Sequence, residues 1–154
     1  QAYSTLRNLG KQSHHPKYDL ITETRSCIKN TMKPYVIENV PGSPLHGSLV
    51  LCGQYFGLKV RRHRHFEMSV LMLIDSCRRY HTPAPIAVYG DHPERHTYKP
   101  GAGGYIHRAA TLAIAQDAMG IDWMDWKAIT QAIPPIYTEW IGRRLQEVMQ
   151  WTSR

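Results

Sequence analysis

Residues 35–45, YVIENVPGSPL, decide how this chain is read. Three consecutive apolar residues, Tyr35, Val36 and Ile37, run into an acid and an amide, Glu38 and Asn39. Pro41, Gly42 and Pro44 then turn the chain. A short β-branched run without polar alternation predicts a strand covered on both faces, as in a parallel sheet flanked by helices. Ligands of open α/β sheets lie outside the carboxyl ends of the strands, so Glu38 and Asn39 stand where chemistry is expected. Partial burial there would favour the protonated carboxyl of Glu38 and let it donate a proton or a strong hydrogen bond. Capping of a neighbouring helix, or pairing with an arginine, is the structural alternative for the same side chain.

Upstream, Tyr18, Ile21, Ile28 and Met32 recur at helical spacing behind Pro16, predicting a helix over 16–31 with Cys27 in its buried face. Downstream, SLVLCG at 48–53 and FEMSVLML at 66–73 read as further strands, with Cys52 buried at the end of the first. Residues 78–108 carry four prolines, the cluster GAGG at 101–104, and His81, His92, His96 and His107, the composition of loops or a small irregular insertion. Helical periodicity returns in RAATLAIAQDAMG, where Gly120 is placed to cap the C-terminus. Pro134 and Pro135 then precede IYTEWIGRRLQEVMQW. Its Tyr137, Trp140, Ile141, Leu145 and Val148 share one face, while Arg143, Arg144 and Glu147 share the other. The class is α/β.

A length of 154 residues is that of one ordinary domain with a real core. No apolar run approaches the roughly 20 residues that span a bilayer, so no membrane segment is expected. No secretory signal is visible either, and three widely spaced cysteines argue for a reducing, cytoplasmic compartment. The formal charge of +7 is densest in VRRHRHFE at 60–67, which makes nucleic acid the first candidate partner and assigns Arg61 and His63 to it. A solvated basic surface is the plain alternative.

The order of three blocks goes further. ENVPG, then CGQYFGLKVRRHRHFE, then ITQAIPPIYTEWIG resemble successive blocks of the DNA cytosine-5 methyltransferases, especially the compact forms carried by bacteriophages. In that family an ENV block supplies a glutamate that contacts N3 of the target cytosine, and Glu38 matches it. A Gln-x-Arg-x-Arg block supplies arginines that orient the active site and reach the cytosine carbonyl. Arg62 and Arg64 match these, with Val60 in the glutamine's place. Gln131, Ala132 and Ile133 align with the block that walls the S-adenosylmethionine pocket, although the family's glycine is absent.

The resemblance implies a partial doubly wound, Rossmann-like sheet over 1–73, a small DNA-recognition region over 74–108, and helices over 109–154 that complete the catalytic domain. It implies double-stranded DNA with a flipped cytosine as substrate. The nucleophilic cysteine of the family belongs to a Pro-Cys-Gln block, and Gln1 and Ser4 match the residues that follow it, next to DNA. The nucleophile and most of the cofactor site are therefore expected upstream of Gln1, either lost by truncation or supplied by another polypeptide, in a bacterial or phage-infected cell, and this chain alone is expected to be inactive.

Two other readings remain. A non-enzymatic basic DNA-binding module needs only the charge. A zinc site or metal-dependent nuclease would draw on His63 with His65, Cys77 with His81, or His92 with His96, but no tight Cys-x-x-Cys pair supports it, and no metal is assigned.

Overall fold

In a computed structural model, residues 20–75, 77, 84–90 and 107–152 are described. Gln1, Ser4, GAGG, His81, His92 and His96 lie outside them. The described residues fall into two compact units, one of residues 20–50 with 63–74, the other of 51–62 with 75–152.

The first unit opens with helix α1 (Ile21–Lys29), which ends before the predicted 31 and has Leu20 outside it, while residues 16–19 of the predicted helix lie outside the described residues. Its Cys27 is exposed rather than buried. Met32 is also exposed and stands past the helix end with φ 52°, so the helical repeat does not extend to it. Strand β1 (Val36–Asn39) follows, then β2 (Leu49–Leu51) and β3 (Arg64–Met68), in the sheet order β1-β3-β2. The expected parallel neighbour of β1 is not what forms. β1 pairs antiparallel with β3, Val36 opposite Met68, Ile37 opposite Glu67, Glu38 opposite Phe66 and Asn39 opposite His65. An apolar run reports that a strand is covered, and its side chains carry no information about the direction of the strand beside it.

Alternation divides the pair into two faces, with Ile37, Asn39, His65 and Glu67 on one and Val36, Glu38, Arg64, Phe66 and Met68 on the other. The predicted strand over 66–73 starts earlier and stops at Met68. Ser69 closes the ladder there by donating its N–H to the Tyr35 carbonyl (3.1 Å) and accepting the Tyr35 N–H on Oγ (2.9 Å). Beyond it Met72 is buried, whereas Leu71 and Leu73 face outward.

The second unit takes its core from Val60, Val88, Ala109, Ala115, Ala118, Met119, Ile121, Trp126 and Ile129. Two-residue strands β4 (Ile86–Ala87) and β5 (His107–Arg108) pair in parallel. Helix α2 (Leu112–Met119) is bounded by local chemistry at both ends. Thr111 accepts the Ile114 N–H on its hydroxyl, and Gly120 takes the left-handed conformation (φ 66°, ψ 37°) that the sequence predicted of it. Helix α3 (Trp126–Ile129), unforeseen, is capped by Asp125, whose carboxylate accepts the Ala128 N–H at 2.7 Å. Helix α4 (Pro135–Thr152) buries Tyr137 and Ile141, half-buries Trp140, Leu145 and Val148, and exposes Arg143, Arg144 and Glu147, as its pattern required.

Before the arginines, a 3₁₀ turn over Gly53–Phe56 folds the chain back on itself. Gly53 donates to the Arg61 carbonyl (2.7 Å) and Leu58 to the Gly53 carbonyl (2.9 Å). A Cβ at position 53 would collide with the Val60 carbonyl oxygen, so only glycine allows so close an approach. The described chain thus mixes helices with a small antiparallel sheet. No described helix is long and apolar enough to cross a membrane.

Candidate functional site

The turn after β1 explains the punctuation of the opening stretch. Pro41 and Gly42 (φ 88°) occupy its central positions, and the Ser43 N–H closes it onto the Val40 carbonyl at 3.3 Å. Proline followed by a residue at positive φ is the signature of a type II turn. Asn39 supports the same bend, because its Oδ1 accepts the Val40 N–H at 2.8 Å. Its amide is thus engaged with the backbone, and Glu38 is left as the acid at the end of the strand.

Glu38 meets Arg64 within the first unit. The guanidinium Nε lies 3.0 Å from Oε1 of the carboxylate, with the two side chains 14% and 30% exposed for Arg64 and Glu38. The register accounts for this contact: Phe66 stands directly opposite Glu38, so Arg64, two residues earlier on β3, is its diagonal neighbour on the same face. Arg64 Nη1 also donates to the His63 carbonyl (3.0 Å), which steadies the fork. The arginine partner foreseen as a structural alternative is therefore present, and it is one of the two arginines that the sequence singled out.

Arg62 is placed quite differently. Within the second unit its Nη2 donates to the Thr130 carbonyl (2.6 Å) and the Ala132 carbonyl (2.9 Å), Nε donates to Ala132 (3.1 Å), and Nη1 to Val88 (3.2 Å). Its backbone is left-handed, with φ 41°. The side chain thus ties the basic tract to the segment containing Gln131, Ala132 and Ile133. Of these, Gln131 is exposed and the other two half-buried. The Thr130 and Ala132 carbonyls beside them are taken up by Arg62.

Arg61 and His63 are half-buried. The Arg61 carbonyl accepts from Gly53, and the buried Tyr137 hydroxyl lies 3.2 Å from it and 3.0 Å from the Arg62 carbonyl.

No family model, curated protein or solved structure matches the chain. What can be said of the site rests on its own geometry.

On the opposite face of β3, Glu67 escaped the sequence reading, and His65 entered it only as a zinc-ligand alternative with His63. Glu67, fully buried, accepts a two-pronged contact from Arg25 of α1 (Nε to Oε1 2.8 Å, Nη2 to Oε2 2.7 Å) and the His46 N–H (2.9 Å). The Arg25 hydrogen bonds, opposed by burial and helped by the His46 N–H, hold its pKa down to about 2. An acid at an inward position of the alternating tract was the available signal. His65, opposite Asn39, has Nδ1 3.1 Å from the Ser48 hydroxyl, and burial lowers its pKa, favouring the neutral ring.

Proposed function

We propose that this chain is part of a DNA cytosine-5 methyltransferase and receives a cytosine flipped out of double-stranded DNA. The observation that carries the reading is the Glu38–Arg64 pair, a carboxyl and a guanidinium held together at the end of a strand by residues already marked by the block order. In this reading the chain contributes part of a doubly wound, Rossmann-like sheet, for which an antiparallel strand is no obstacle because mixed sheets are common. Residues 74–108 serve as the DNA-reading insertion.

The chemistry sets the roles. Addition of a thiolate to carbon 6 of cytosine puts electron density on the ring. Glu38, sharing a proton with N3, takes up that charge, and the Arg64 guanidinium both orients the carboxyl and offers positive charge to the O2 carbonyl. Donors aimed in this way are commonly worth about 2.7 to 4 kcal/mol each. Arg62 is a positioning residue: through Thr130 and Ala132 it holds the backbone around Gln131. S-adenosylmethionine supplies the methyl group when bound, and Gln131, Ala132 and Ile133 would form one wall for it. Phosphate contacts, for which Arg61 and His63 are the candidates among the described residues and Gln1 and Ser4 outside them, offset the few kcal/mol that base flipping costs.

A simple DNA-binding module is less well supported, because Arg64 and Arg62 are engaged with internal acceptors, an arrangement that phosphate attraction alone does not require. Two measurements separate the readings. Assayed with labelled S-adenosylmethionine, the protein that contains this chain should transfer methyl groups to cytosine in DNA. Glu38→Gln should then cut the rate on the order of 100-fold or more. On mispaired duplexes the chain should favour cytosine over other bases at one position, and Glu38→Gln should abolish that preference. Equal binding to every base by the unaltered chain would leave only the module.

A further inference from the structure

We propose that Cys52 and Cys77 form a dithiol site that reacts with low-molecular-weight disulfides, such as oxidised glutathione, and closes into an intramolecular disulfide. The inference does not depend on the methyltransferase reading. Both residues belong to the second unit, and their sulfur atoms lie within 4.8 Å of one another although they are far apart in sequence. Closing the pair to a bond of about 2 Å requires the two side chains to move toward each other.

The two thiols differ in a way that orders the chemistry. Cys52 is 1% exposed at the end of β2, whereas Cys77 is half-buried and so open to a small reagent. Burial pushes the Cys52 thiol above its ordinary pKa, with the neighbouring Cys77 adding to the effect, so Cys52 is a poor first attacker. The Cys77 thiolate attacks oxidised glutathione, forming a mixed disulfide and expelling one glutathione thiolate. That thiolate takes up the proton of Cys52. The Cys52 sulfur then attacks the Cys77 sulfur and expels the second glutathione. In total, two protein thiols are oxidised to one disulfide, and one glutathione disulfide is reduced to two thiols. The product would fasten Cys77 to the base of the turn that carries Gly53.

Cys27, exposed on α1, supplies an internal reference, because it has solvent access without a part in the pair. The folded chain is treated with oxidised glutathione and then examined by intact mass and peptide mapping. A single cross-link, Cys52 to Cys77, with loss of two hydrogens and a glutathione adduct confined to Cys27, is expected. Cys52→Ser should instead retain glutathione on Cys77, and Cys77→Ser should leave Cys52 a thiol. In concentrated urea the single pairing should give way to a mixture that includes Cys27, which ties the selectivity to the fold. The proposal is overturned if the folded chain keeps a stable adduct on Cys77, gives mixed pairings, or leaves both thiols intact while Cys27 is fully modified.

Discussion

Arg62 and Thr130 are separated by 68 positions in the chain, yet the guanidinium Nη2 of one lies 2.6 Å from the carbonyl oxygen of the other. Together with its contacts to Ala132 and Val88, this makes Arg62 a clamp on three backbone carbonyls. Its removal leaves those part-buried acceptors without their donor, which costs about 1 to 3 kcal/mol. Arg62→Ala should lower the urea midpoint accordingly. Arg62→Lys should not restore it, since one ammonium cannot reproduce a fork directed at three acceptors. Because φ is 41° at this position, Arg62→Gly should be less damaging than Arg62→Ala by up to about 1 kcal/mol.

Acid should act on the first unit through Glu67. Its carboxyl titrates near 4.5 when unfolded and is held at about 2 when folded, so its contribution is complete above pH 4.5 and is lost as pH falls through 2. The difference corresponds to roughly 3 kcal/mol. Stability measured across that window should decline steeply in the unaltered chain and much less in Glu67→Gln. Arg25→Ala, which strands a buried charge, should cost about 3 to 5 kcal/mol at neutral pH.

Gly53→Ala should destabilise the second unit by about 1 to 3 kcal/mol or more, because the added methyl has the Val60 carbonyl oxygen and Cγ2 (2.9 Å) in its way. Both obstacles belong to the turn's own return segment. Thermal unfolding followed by circular dichroism is the measurement, and an unchanged midpoint would contradict the close approach.

Tyr137→Phe keeps the ring, which packs on Phe56 at a centroid distance of 5.4 Å, and deletes only the hydroxyl beside the Arg61 and Arg62 carbonyls. A loss of about 1 to 2 kcal/mol on urea unfolding is expected, with the fold retained.

Legibility in the sequence followed the range of the interactions. Helices α2 and α4 could be read because their repeat is strong and ends are marked locally, by Gly120 and by Pro134 and Pro135, whereas the Thr111 cap went unread. The bend after β1 was equally plain from Pro41 and Gly42. Strand direction was not, since the partner of Ile37 is Glu67, on a segment thirty residues downstream. Arg62 and Arg64 look alike in the tract, and only tertiary placement gives one to carbonyls and the other to a carboxylate. Glu67 escaped notice because its partner Arg25 lies 42 positions upstream. Cys27 was placed in the core by a periodicity that included Met32, a residue beyond the helix and facing outward.

Thr111 and Gly120 enclose eight helical residues between them, and every inward contact of that helix depends on the count. A single insertion or deletion inside the bracket would rotate all that follows by about 100° and swing part of the set Ala115, Ala118 and Met119 out toward water. Chains that share this architecture should therefore tolerate length changes before Thr111 or after Gly120 and hold the interval between them constant.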